Sequence, residues 1–158
     1  MVSVLREHAI GYLCDVRSVP ISNHHPEFCR DELKRGLGEH GLKYVFLGNL
    51  LGGKPKDASL LDADGFVNYS ALIASPGFVA GIDRVVGAAK AGKAIALFCS
   101  EAAPENCHRS KAVGRALGEK GLTVKHIDQL NSIILQENIF AGTQLAFFEN
   151  SDVVAHSR

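Results

Sequence analysis

A doubly wound, mostly parallel α/β sheet flanked by helices is the fold this sequence predicts, and three observations carry it. Short apolar runs alternate with segments of helical periodicity, giving strand, helix, strand, helix, strand, helix, strand. The run Ala94 to Cys99 is continuously apolar, as in a strand covered on both faces. Glycines stand where helical patterns stop, at Gly41, Gly92 and Gly121. Parallel neighbours cannot be joined by a tight hairpin, so this alternation requires crossover helices.

In chain order, Ile10 to Val16 is the first strand, β-branched at both ends and closed by the turn-like Ser18-Val19-Pro20. Pro26 to His40 is a helix with Phe28, Leu33 and Leu37 on one face. Leu42 to Leu47 is the second strand. The glycine-containing stretch from Gly48 to Gly65 is long for an ordinary connection, which marks it as functional. Pro76 suits the first turn of a helix whose Val79, Ile82, Val85, Val86 and Ala89 repeat at helical spacing. After the third strand, Ala94 to Cys99, Asn106 is placed to cap a helix carrying Ala112, Val113, Ala116 and Leu117. Leu122 to Ile127 is the fourth strand.

The chain has 158 residues, 46% of them apolar, which fits one core: a single domain over residues 1–150 and a loose polar tail over 151–158. Seventeen basic residues balance seventeen acidic ones, so no global field draws the chain to nucleic acid or anionic lipid. No apolar run approaches the ~20 residues of a membrane span and no signal peptide opens the chain, so the expected location is the cytoplasm. Cys14, Cys29, Cys99 and Cys107 form no C-x-x-C pair and are expected as reduced thiols, Cys14 and Cys29 without a role.

In an open parallel sheet the ligand crevice lies outside the carboxyl ends of the strands. Asp15, Arg17 and Ser18 close the first strand, Gly52 and Gly53 follow the second, Cys99 and Glu101 follow the third, and His126 closes the fourth. Four segments therefore deliver polar chemistry to one edge.

The run Asp15-Val16-Arg17-Ser18-Val19-Pro20, then Leu51-Gly52-Gly53, then Leu97-Phe98-Cys99-Ser100-Glu101 with Pro104 and Cys107-His108-Arg109, then Val124-Lys125-His126-Ile127, resembles the domain of unknown function 488 family. The resemblance runs from about Tyr12 to Ile127. It implies a compact Rossmann-like fold whose matching residues form a suspected active site, with no settled reaction. It also implies one further N-terminal edge strand ending in a Gly-His-Ser-like motif. This sequence starts instead in the following helix, so that edge strand is expected to be missing and a second copy of the chain would cover the exposed sheet edge.

Arg17 and Arg109 are read as forks for phosphate or carboxylate, with Asp15 or Glu101 either pairing with them or acting as general acid or base. Glu101 is expected within hydrogen-bonding reach of Arg17 or Arg109. Cys99 shapes the pocket, with Cys107 and His108 at a helix start beside it. The positions of Cys99 and Cys107 relative to Arg109 do not fit a phosphatase cradle. Gly52 and Gly53 allow close backbone approach, and Tyr69 is placed to stack on a ring. Cys99, Cys107 and His108 invite a metal or thiolate reading, but no metal ligand is assigned, a metal being possible and not favoured. No G-x-G-x-x-G follows the first strand, which argues against a dinucleotide cofactor. The expected activity is a hydrolase or transferase acting on a small phosphate-bearing or nucleotide-like ligand. The rival is a non-catalytic nucleotide- or nucleic-acid-sensing module, its nucleic-acid version weakened by the neutral charge.

Overall fold

The computed structural model describes residues 1–140 apart from 102 and 129; the tail over 151–158 and the apolar stretch Gln144 to Phe148 lie outside them. A three-stranded parallel sheet in the order β2-β1-β3 is flanked by helices on both faces, a Rossmann-like α/β arrangement. Its strands are β1 (Tyr12–Asp15), β2 (Lys43–Phe46) and β3 (Ile95–Phe98). They run in register, with Asp15 between Phe46 and Phe98.

Strand alternation sorts the side chains of β1. Leu13 faces a cluster with Leu5, Leu33 and Leu37, supplied by helices α1 (Val2–Glu7) and α2 (Arg30–Glu39). Cys14 and Val16 face the opposite, larger cluster, with Leu47, Leu51, Phe78, Ile82 and Val113. That second layer comes from α3 (Gly48–Leu51), α4 (Tyr69–Ala74) and α5 (Pro76–Lys90), together with a π-helical turn over Arg109–Gly114 that runs into α6 (Arg115–Glu119). Each fully buried Leu or Phe contributes about 1.5–3 kcal/mol of transfer free energy.

Helix α5 is the clearest product of local sequence. Ser75 accepts the Phe78 N–H at its start, Pro76 occupies the first turn, and Gly92 closes it at φ +74°. Its core face uses Phe78, Ile82, Val85 and Val86, while Val79 stays 41% exposed. The region expected as one helix from Pro26 is two pieces, a 3₁₀ turn at Pro26–Phe28 and then α2, because Cys29 between them is extended at ψ 148°. The Gly48 to Gly65 stretch is not all loop: it opens with α3 and holds a 3₁₀ turn over Ala58–Leu60 capped by Asp57. Asn106 lies in a 3₁₀ turn, Pro104–Asn106, and does not cap a helix; the Arg109 N–H is instead accepted by Cys107 Sγ.

The expected fourth strand is corrected. Segment β4 (Lys125–Ile127) does not join the parallel sheet but pairs antiparallel with β5 (Ile133–Leu135), and α7 (Gln136–Ile139) follows directly. The cause is local. The Asp128 carboxylate accepts the N–H groups of Leu130 and Ser132, Asn131 takes φ +62°, and this tight turn closes a hairpin with little loop entropy.

Candidate functional site

Beyond the carboxyl ends of β1 and β3 the chain encloses a cleft of about 300 Å³. Arg17, Ser18 and Val19 come from the β1 loop, Gly53 and Lys54 from the segment after α3, and Tyr69 from the start of α4. The rest of the wall is Cys99, Ser100 and Glu101 after β3, with Asn106 and His108. Of the residues expected here, the structure brings together Arg17, Ser18, Gly53, Tyr69, Cys99, Glu101 and His108. A larger groove of about 1120 Å³ lies between α6 and the β4–β5 hairpin and shares Tyr69, but among the described residues no cysteine or histidine lines it. The smaller cleft therefore gathers the cysteine and histidine side chains.

Its centre is a sulfur–imidazole cluster. Cys99 Sγ lies 3.5 Å from His108 Nδ1, and the ligand-bearing atoms of Cys99, Cys107 and His108 are all within 4.8 Å of one another. His108 Nε2 lies 3.1 Å from the carbonyl oxygen of Val16. A carbonyl only accepts, so Nε2 carries a proton; in the neutral ring Nδ1 then accepts from the Cys99 S–H, and in the imidazolium it donates to the Cys99 thiolate. The ring is packed against a second loop: a Cβ on Gly53 would stand 2.5 Å from His108 Cγ. Cys107 is fully buried. The Cys107 S–H and then His108 hold the Cys99 thiol well below the usual thiol range, outweighing burial, while contact with Cys99 and burial push Cys107 up. Tyr69 is raised by burial and by the two sulfurs it faces.

Four expected site residues lie elsewhere. Asp15 is fully buried and saturated, accepting from the backbone N–H, Nε and NH2 of Arg17 and from the Tyr44 hydroxyl. It is not free to act as an acid or base. The Arg17 guanidinium also donates to the Phe28 carbonyl at 2.9 Å and lies 4.7 Å from the Phe98 ring centroid. Burial works against its charge, but Asp15 outweighs burial and the Arg17 pKa is raised. Tyr44 is raised by burial and by that same carboxylate. Glu101 pairs with neither Arg17 nor Arg109 and is exposed, because Asp15, two residues away on the same face, has already taken Arg17.

Arg109 does not line the cleft, and its buried Nε has no partner among the described residues. His126, 3% exposed, turns to Gln136 Oε1 at 2.6 Å rather than to the edge, since β4 left the parallel sheet. Gly52 lies outside the cleft wall and has φ −69°; a Cβ there would collide with the Ser18 hydroxyl and the Gly48 carbonyl. Its need is close packing within the protein, not approach to a ligand.

Beyond Val19 and Ser100 of the wall, sequence reasoning misses three participants in the chemistry. Lys54 follows the glycine pair and could be found as the next residue of that loop. Asn106 reads from sequence only as a cap. The Val16 carbonyl has no signature in side-chain identity.

Chemically, the cluster offers a thiolate beside a positioned imidazole, or three soft donors around one point, with Lys54 as a nearby cation and Glu101 as an exposed carboxylate. The family model described as Domain of unknown function DUF488 matches residues 1–115. No curated protein and no solved structure matches the chain.

Proposed function

Because the chain belongs to the domain of unknown function DUF488 family, for which no reaction can be carried over, we propose from the site itself that it is a hydrolase or transferase acting on a small phosphate-bearing or nucleotide-like ligand. The observation that carries this reading is that Cys99, His108 and Glu101 share one cleft with Lys54 and Ser18. Lys54 supplies charge for the anionic group, with the Ser18 hydroxyl, already accepting the Lys54 N–H at 2.9 Å, fixing the loop that carries it. Arg17 shapes the floor, its charge offset by Asp15. Glu101, exposed at the wall, is the general acid or base, and the Cys99–His108 pair marks the reacting end. Tyr69 offers a ring for stacking on a base or sugar.

Thermal-shift measurements with nucleotides and sugar phosphates test this. A ligand-induced rise in melting temperature that Lys54→Ala reduces, with turnover abolished by Glu101→Gln while binding persists, supports it. No shift with any phosphate-bearing ligand would sink it. The second reading, a non-catalytic sensing module, is favoured by one observation: no hydrogen bond positions Glu101 for proton transfer among the described residues. Ligand recovered chemically unchanged after long incubation would select it.

A further inference from the structure

We propose that Cys99, Cys107 and His108 form a site for one thiophilic transition-metal ion, zinc in the first place, with a fourth coordination position open to the cleft. This goes beyond the ligand and reaction proposed above and depends on neither.

The spacing of the donors suits zinc. Zinc binds sulfur at about 2.3 Å and nitrogen at about 2.0–2.1 Å, so tetrahedral geometry separates a sulfur and a nitrogen ligand by about 3.6 Å and two sulfurs by about 3.8 Å. Cys99 Sγ and His108 Nδ1 are already 3.5 Å apart, and all three donors lie within 4.8 Å.

The surroundings are those of a ligand set. A metal-bound histidine generally donates its other ring N–H to a carbonyl or carboxylate, which fixes the ring and leaves the ligating nitrogen free. His108 does this toward the Val16 carbonyl, and Gly53 packs against the ring. The Cys107 sulfur accepts the Arg109 N–H at 3.4 Å, a contact suited to a sulfur carrying negative charge. Cys107 is fully buried whereas Cys99 and His108 also line the cleft, so the donors cover the inner side and leave the outer side facing solvent.

The donor chemistry selects the ion. Two sulfurs and an imidazole suit zinc and other soft or borderline metals, while magnesium and calcium take oxygen ligands. Two thiolates balance a divalent ion, which leaves no net charge beside the buried Cys107; on binding, the ion replaces the thiol protons, which go to solvent. Once bound, such an ion supplies a Lewis acid at the reacting end of the cleft.

The full chain, reduced and stripped with chelator, is dialysed against Zn²⁺ or Co²⁺ and its metal content measured. The expected result is one retained equivalent of zinc and, for cobalt, sulfur-to-metal charge-transfer absorption. Cys99→Ser and His108→Gln should each weaken zinc binding by more than the roughly 10- to 100-fold that loss of an outer-shell partner costs. Cys14→Ser and Cys29→Ser should leave it unchanged. Cys107→Ser removes a fully buried thiol and can disturb folding, so the decisive variants are the two at partly exposed positions. Wild-type protein without stoichiometric zinc, or zinc held equally well by Cys99→Ser and His108→Gln, overturns the proposal. These measurements use the metal alone, so a negative result leaves the phosphate-ligand reading standing, and failure of every phosphate ligand leaves the metal site standing.

Discussion

Gly53 packs directly against the imidazole of His108, with room for a hydrogen but not for a methyl group: an added Cβ would come within 2.5 Å of Cγ and 2.8 Å of Nδ1. The backbone of one loop thus sets the orientation of a side chain supplied by another.

Gly53→Ala should therefore displace His108 and destabilise the protein by about 1–3 kcal/mol, the usual cost of overpacking. Gly36→Ala, in the interior of α2 with nothing within 4 Å of its added methyl, should stabilise by about 0.5–1 kcal/mol. Urea unfolding of both variants checks the contrast; equal effects would show that Gly53 has no steric duty.

Asp15→Asn should be among the most damaging single changes. It leaves Arg17, only 5% exposed, without its counter-charge, at a cost of about 3–5 kcal/mol. Replacing both members, Asp15→Leu with Arg17→Met, should recover much of that loss, since an apolar pair carries no unpaired charge. Denaturation midpoints of the single and double variants decide it.

Acid sensitivity should trace in part to His126. Burial lowers its pKa below the ordinary 6.5, despite the Gln136 contact that raises it. The unfolded chain then binds a proton that the folded chain resists. The neutral ring's contribution is complete above pH 6.5 and is lost as pH falls from there through the lowered folded value. Urea midpoints measured downward from pH 7 should drop less steeply in His126→Gln than in the wild type; parallel curves would remove His126 from the account.

Ser110 is fully buried, and its hydroxyl has no partner among the described residues. Ser110→Ala should accordingly be neutral or stabilising, because it removes a desolvated polar group without breaking a bond. A loss above about 1 kcal/mol in thermal unfolding would reveal a partner for that hydroxyl.

The elements with strong periodicity are readable from the sequence. The apolar run Ala94 to Cys99 and the capped, proline-started α5 have local causes, and both stand where expected, except that the strand, Ile95–Phe98, is the half-buried edge of the sheet rather than one covered on both faces. The end of the third strand also puts Cys99 beside Ser18 and Glu101. What escapes depends on competition between partners. Arg17 has more than one carboxylate to choose from, and side-chain alternation along β1 favours Asp15, a relation that i, i+2 spacing in an extended chain does encode. The hairpin at Asp128 is different: Ile133 to Leu135 is too short a run to announce a strand, and once it pairs with β4 the fourth strand and His126 leave the sheet. Cys99 and His108 stand nine positions apart with the 3₁₀ turn Pro104–Asn106 between them, a path that no periodicity describes.

The hydrogen bond from His108 to Val16 ends on a peptide oxygen. Such a partner is immune to point mutation: every amino acid at position 16 supplies the same carbonyl, so a mutational scan would pass over one of the groups that orient the imidazole. Its weight can be read only by altering the main chain itself. Replacing the peptide bond after Val16 with an ester weakens that carbonyl as an acceptor while keeping every side chain, and the imidazole's tautomer, read by nitrogen resonance frequencies, would register the change.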